Sequence, residues 1–220
     1  MSQELSAHLY NCLRSDAYAV CRINGIGQAK IDDLKAITKI EKKILKNKYN
    51  SKDYAIDITS NSSALFTLSK LKKCLNTTKK INNNKLVTEL VRRYFNDNNY
   101  SVQQEIFWRN PGGREIFPHQ DRVYECKKHL SIVIPLSKVK LTSSPLVYCP
   151  IAEDIEVPHV FSIKNSRYCA KDFKYRYELP YTSGDIIIHT QSSLHKAKKP
   201  NIKSTRITYL RLIVKEILPK

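Results

Sequence analysis

The chain has 220 residues, 41% of them hydrophobic and 26% charged, which suits one domain with a sizeable core in an ordinary globular protein. No apolar run is long enough to cross a bilayer, and the mixed, polar start from Met1 to Val20 lacks the apolar centre of a secretory leader, so a cytoplasmic protein with no membrane insertion is expected. The formal net charge of +18 is compatible with an anionic substrate, but basic residues are spread over both halves and lysine dominates arginine, so a solvated lysine-rich surface is favoured over a nucleic-acid interface.

In chain order, Asp16 to Gly27 reads as a short strand ending in a glycine turn. Ile31, Leu34, Ile37, Ile40 and Ile44 recur at helical spacing and predict an amphipathic helix. A second helix is expected from Ser62 to Leu75, with Leu65, Leu68, Leu71 and Leu75 on one face. Asn76 to Lys85 is polar and reads as a loop, and a third helix carries Leu86, Leu90, Val91, Tyr94 and Phe95 until the Asn96 to Asn99 cluster ends it. From Tyr100 the period changes from helical to alternating. Strands are expected around Val102–Trp108, Leu130–Leu136, Leu146–Cys149, Asp185–Thr190 and Arg206–Val214. Residues 150–180 fit no period, are rich in Tyr, Lys and Arg, and read as a long insertion between strands. A helical start followed by many short strands predicts a helix-backed antiparallel barrel or sandwich. The six cysteines, at 12, 21, 74, 126, 149 and 169, form no CxxC pair, so neither a zinc knuckle nor a thioredoxin-like motif is supported, and reduced thiols are expected.

Three pieces of sequence carry chemistry. His119 and Asp121 stand two apart, so on a strand they aim an imidazole and a carboxylate the same way, with Gln120 turned aside. That is two thirds of the two-His-one-carboxylate set that binds Fe(II) on one face and leaves other positions open. The run Gly184 to His195 is a turn, an apolar strand and a second turn, with His195 opening a further strand. Arg206 follows His195 by eleven positions across a Pro200-Asn201 turn, and Thr208 shares its strand face. A guanidinium with a hydroxyl beside it suits a carboxylate through a planar two-point contact.

The segment Trp108-Arg109-Asn110-Pro111-Gly112-Gly113, then Pro118-His119-Gln120-Asp121, together with Gly184-Asp185, His195, Asn201 and Arg206, resembles the phytanoyl-CoA dioxygenase family. Ser131–Ser137 with Ser144-Pro145-Leu146 resembles the family's next strand pair, and Asp16 to Leu34 its opening. The likeness is densest over residues 104–214. It implies one oxygenase domain over residues 1–220, with a mainly helical part to residue 99 and a double-stranded β-helix (jelly-roll, cupin-like) core from residue 100. It implies Fe(II) held by His119, Asp121 and His195, and 2-oxoglutarate held by Arg206 with Thr208 assisting. It also implies O2-dependent hydroxylation of a small-molecule substrate, coupled to decarboxylation of 2-oxoglutarate to succinate and CO2, with ascorbate as a candidate reductant. The family's glycine-rich turn is replaced here by Cys149-Pro150-Ile151-Ala152-Glu153, so phytanoyl-CoA itself does not follow.

Among the other histidines, His189 is the most interesting, six residues before His195 at a strand end; a substrate contact is a better reading for it than a metal ligand. Arg109 is a second candidate for substrate or cosubstrate contact, against the alternative of a surface ion pair. Three functional readings remain: a small-molecule hydroxylase, an oxygenase acting on nucleic acid or a nucleotide, and a non-catalytic ligand-binding descendant. The complete set His119, Asp121, His195 and Arg206 favours the first.

Overall fold

The structure, a computed structural model, describes residues 2–46, 57–61, 65–69, 74–96, 99–113, 115–121, 128–139, 146–151, 177–178, 184–197, 199–203 and 205–217. Most of the 150–180 insertion lies outside the described residues. Helix α1 (Ser2–Asp16) leads into strand β1 (Tyr18–Arg22) and helix α2 (Gly27–Leu45). Gly25, with φ of 73°, makes the turn between them in a conformation that favours glycine. Strands β2 (Asp57–Asn61) and β3 (Leu65–Ser69) follow, then helices α3 (Asn76–Asn82) and α4 (Lys85–Phe95). The remaining strands are β4 (Tyr100–Arg109), β5 (Ile116–Gln120), β6 (His129–Pro135), β7 (Leu146–Cys149), β8 (Tyr177–Glu178), β9 (Asp185–Thr190), β10 (Leu194–Ala197) and β11 (Ile207–Glu216).

The strands form two antiparallel sheets, one ordered β1-β9-β6-β11-β4-β3-β2 and one ordered β5-β10-β7-β8. This is the expected double-stranded β-helix. The outer face of the large sheet (Ile106, Trp108, Leu130, Ile132, Ile134, Ile186, Ile188, Leu210, Leu212, Val214) packs under α1, α2 and α4 through Leu9, Leu13, Ile37, Leu90 and Phe95. Its inner face meets the small sheet around Val133, Leu146, Tyr148, Ile187, Ile207 and Tyr209. The period-2 pattern therefore assigns each large-sheet residue to the helices or to the barrel interior.

Two expectations are corrected. The helix expected from Ser62 to Leu75 is a strand at residues 65–69, paired antiparallel with β4 from Leu65↔Arg109 to Leu68↔Ile106. Leu-Phe-Thr-Leu has strand-forming residues, and the ladder of the long β4 offers them partners that an isolated helix cannot match. The polar run Asn76 to Lys85 is mostly helical, because Asp33 on α2 receives the backbone N–H groups of Asn76 (3.0 Å) and Thr77 (2.6 Å) and so caps α3 from a distance in sequence. Beside its helices, the N-terminal part supplies β1, β2 and β3 to the large sheet. Cys12, Cys21, Cys74 and Cys149, the described cysteines, are free thiols.

Candidate metal centre

His119 lies on β5 and His195 on β10, directly opposite each other in the antiparallel ladder, with ring centroids 4.3 Å apart. Asp121 follows β5, and its Oδ1 lies 3.6 Å from His119 Nε2 and 3.9 Å from His195 Nε2. One ligand atom from each of the three lies within 4.8 Å of the others, as the HxD…H pattern predicts. The alternation argument holds for Gln120 too: it turns away and donates from Nε2 to the Ser192 carbonyl (2.6 Å), tying β5 to the turn that delivers His195.

The surroundings set the protonation and orientation of these groups. His195 Nδ1 is 3.1 Å from the Ser193 carbonyl, so its Nδ1–H donates there and the Nε2 lone pair faces the cluster. Burial, with His119 beside it, pushes the His195 pKa down to about 4, which keeps the ring neutral. Burial would raise Asp121, but Arg211, His195 and His119 together hold its carboxyl well below the usual carboxylate range. Arg211 Nη1 donates to Asp121 Oδ2 at 2.9 Å while its Nε donates to Glu105 on β4. Glu105 and Arg211 sit opposite each other in the β4–β11 register. Two imidazoles and an ionised carboxylate, with His195 held by Ser193 and Asp121 by Arg211, form the donor set of a borderline divalent transition metal with open positions.

The cosubstrate residues fall differently. Arg206 leads into β11 on the helix-facing side: its guanidinium lies 5.0 Å from the Trp108 ring centroid and pairs with Glu41 on α2. Thr208, opposite Trp108 in the ladder, shares that side with Leu210 and Leu212. Arg211 has the opposite parity on the same strand and points to Asp121. The structure therefore brings His119, Asp121 and His195 together and does not bring Arg206 and Thr208 to them. The eleven-residue spacing fixes the strand but not the face a side chain takes after an irregular turn.

His189 on β9 is 1% exposed, with its ring 5.0 Å from His195 and 5.6 Å from Tyr148; burial and neighbouring His195 depress its pKa to about 3. It adjoins the centre without belonging to the ligand cluster. Arg109 is 1% exposed on the interior side of β4, so the surface ion-pair alternative does not hold. His8 lies on α1 beside Cys12. Sequence reasoning missed Glu105 and Tyr148. Glu105 shares the alternation of Phe107 and Arg109, a signal that was present, whereas Tyr148 in an apolar strand gave none.

Fold and site together define a double-stranded β-helix carrying a two-histidine-one-carboxylate cluster in its interior. No protein-family model and no curated protein sequence matches the chain. Solved structures do. AviO1 from Streptomyces viridochromogenes Tue57 aligns with a TM-score of 0.65 at 14% identity, over 98% of this chain and 96% of that one. EctD from S. alaskensis, crystallised with 2-oxoglutarate and 5-hydroxyectoine, gives 0.68 at 14% identity over 96% of this chain and 76% of that one. SnoK, a non-heme alpha ketoglutarate dependent carbocyclase from nogalamycin biosynthesis, gives 0.67 at 13% identity over 98% and 85%. These likenesses establish the shared fold.

Proposed function

We propose that this protein is an iron(II)- and 2-oxoglutarate-dependent dioxygenase that hydroxylates a C–H bond of a small, anionic metabolite. The observation that carries the reading is the convergence of His119, Asp121 and His195 within 4.8 Å inside the barrel. The donor set fits Fe(II): two imidazoles and one carboxylate would hold the ion on one face and leave positions for a 2-oxo acid and O2. When bound, iron and cosubstrate supply the oxidation of the substrate, coupled to decarboxylation of 2-oxoglutarate to succinate and CO2. The chain's own residues do the positioning. His119 and His195 present nitrogen lone pairs, Asp121 presents Oδ1, and Arg211 keeps Asp121 ionised and oriented through Oδ2. Tyr148, stacked on His195 with centroids 5.4 Å apart, and His189 wall the centre and limit water around it.

Two of the similar structures support the cofactor reading, being described as alpha ketoglutarate dependent or as complexed with 2-oxoglutarate. The net charge of +18 motivates an anionic substrate. The test is to load the protein with Fe(II) under anaerobic conditions, add 2-oxoglutarate and follow the visible metal-to-ligand charge-transfer band. Addition of O2, ascorbate and a metabolite library should then yield substrate-dependent succinate and a product one oxygen heavier. Absence of both the band and succinate from iron-loaded protein would sink the reading.

A further inference from the structure

Strand β6 divides its side chains between the two faces of the large sheet. Leu130, Ile132 and Ile134 pack under the helices, and Val133 joins the barrel's interior cluster. By strand alternation His129 and Ser131 share the interior side with Val133. Ser131 stands opposite His189 on β9, and His129 opposite Lys215 on β11. The His189 ring is 5.0 Å from that of His195. A strip of polar side chains therefore leads from the metal centre through His189 and Ser131 to His129, which also feels the charges of Asp121 and Arg211.

The β6 members of this strip are buried and unsatisfied. His129 is 0% and Ser131 1% exposed. Neither ring nitrogen of His129 nor the Oγ of Ser131 has a hydrogen-bond partner among the described residues. Folded chains pair nearly all their buried polar groups, because an unmet donor or acceptor is costly, and a ligand that supplies the partner recovers that cost. Arg211, on the same interior side, differs in being bound by both Glu105 and Asp121.

We propose that His129 and Ser131, with His189 opposite, form a substrate subsite beside the metal centre that takes hydroxyl groups, as on a sugar or other polyol. The proposal rests on the functional reading above and specifies the uncharged portion of that metabolite. A buried imidazole without a counter-ion is neutral, and burial holds the His129 pKa at about 4. A neutral ring carries one donor and one acceptor nitrogen, and a serine hydroxyl both donates and accepts. His189 adds an acceptor: its Nδ1 lies 3.3 Å from the Thr190 carbonyl, which can only accept, so Nδ1 bears the proton and Nε2 the lone pair.

A hydroxyl matches that mixture, since it too donates and accepts. A carboxylate offers acceptors alone, and Arg211 is already committed to two carboxylates. An alkyl chain would leave every polar atom of the strip unmet. The spacing fits a ring: two residues of strand place His129 and Ser131 about 6–7 Å apart, and a six-membered ring with hydroxyls on opposite sides reaches both.

The test uses full-length protein, metal-free and loaded anaerobically with Fe(II) and 2-oxoglutarate. The probes are myo-inositol, an uncharged polyol, and cyclohexanecarboxylate, an anionic ring of similar size without hydroxyls. In metal-free protein carrying isotope-labelled histidine, myo-inositol should move the ring-nitrogen resonances of His129, identified by their loss in His129→Gln. In the loaded protein it should shift the charge-transfer band, and cyclohexanecarboxylate should do neither. His129→Phe and Ser131→Ala should weaken polyol binding roughly fivefold to tenfold. Their ligand-free melting temperatures should be unchanged or higher, because each deletes unpartnered polar atoms. His129→Gln keeps one donor and one acceptor and should bind within about twofold of wild type. No response to the polyol, preference for the carboxylate, wild-type affinity in both His129→Phe and Ser131→Ala, or melting temperatures lowered in both would each overturn the proposal. Absence of the charge-transfer band from iron-loaded wild type would instead overturn the functional reading, while the metal-free titration would still judge the subsite.

Discussion

At the scale of single residues, the metal centre is a problem of protonation as much as of geometry. Imidazoles ligate when neutral and carboxylates when ionised. Burial supplies the first condition at His195, and Arg211 supplies the second at Asp121. His119→Ala, Asp121→Ala and His195→Ala should therefore each nearly abolish Fe(II) binding, as read by titration with a chelator-competition assay. Wild-type affinity in His195→Ala would remove the assignment and point to His189. Arg211→Met should act less directly: losing an outer partner of a ligand typically costs roughly tenfold to a hundredfold in metal affinity. It also leaves Glu105 and Asp121 facing each other without their shared cation, so a loss of stability on the order of 3 kcal/mol should accompany it.

His129, fully buried on β6, extends this logic to pH. Burial depresses its pKa to about 4, against an ordinary value of 6.5, and both ring nitrogens lack hydrogen-bond partners among the described residues. The folded chain keeps the ring neutral while the unfolded chain takes up a proton below pH 6.5. The proton-linked cost of this burial is therefore absent above that pH, and stability is lost progressively as pH falls from 6.5 to 4. The span corresponds to roughly 2–3 kcal/mol by pH 4. Metal-free wild type should lose melting temperature steadily over that interval, and His129→Phe should flatten the slope; an unchanged slope would refute the account.

At the scale of elements, contacts from outside a segment decide its conformation. Helix α3 is seven residues long and no side chain at its own N-cap, Leu75, caps it; Asp33 on α2 does so, while Gln104 on β4 accepts from Leu75 N–H and the Thr78 hydroxyl. Asp33→Ala should cost about 0.5–2 kcal/mol, the range for losing a cap, and lower the melting temperature without changing metal affinity. By contrast, α4 carries its own signals: Asn84 accepts from Val87 N–H at its start and Asn96, with φ of 53°, closes it in the left-handed conformation. That difference explains why α4 was legible in the sequence and α3 was not. The strand at Leu65–Ser69 belongs with α3, since its conformation depends on the edge that β4 offers.

At the scale of the whole molecule, the charge of +18 is a long-range property without a local motif. Binding to duplex DNA or RNA should be weak and steeply salt-dependent, with a dissociation constant of ~10⁻⁴ to 10⁻⁶ M in fluorescence anisotropy at physiological salt. A tight, sequence-selective complex that persists in raised salt would promote a nucleic-acid substrate. The sequence by itself determined the strands of the barrel core and the three residues that meet in it, because period-2 alternation and the HxD spacing are local and the ladder preserves them. Tertiary structure alone decided which conformation residues 65–82 adopt, since their backbone partners lie on β4 and α2. It also decided which arginine faces the interior. Arg109, Arg206 and Arg211 are alike as residues, and only the β4–β11 register and the two sides of the sheet assign one to the interior wall, one to Glu41 on the helical layer and one to Asp121 in the candidate metal centre.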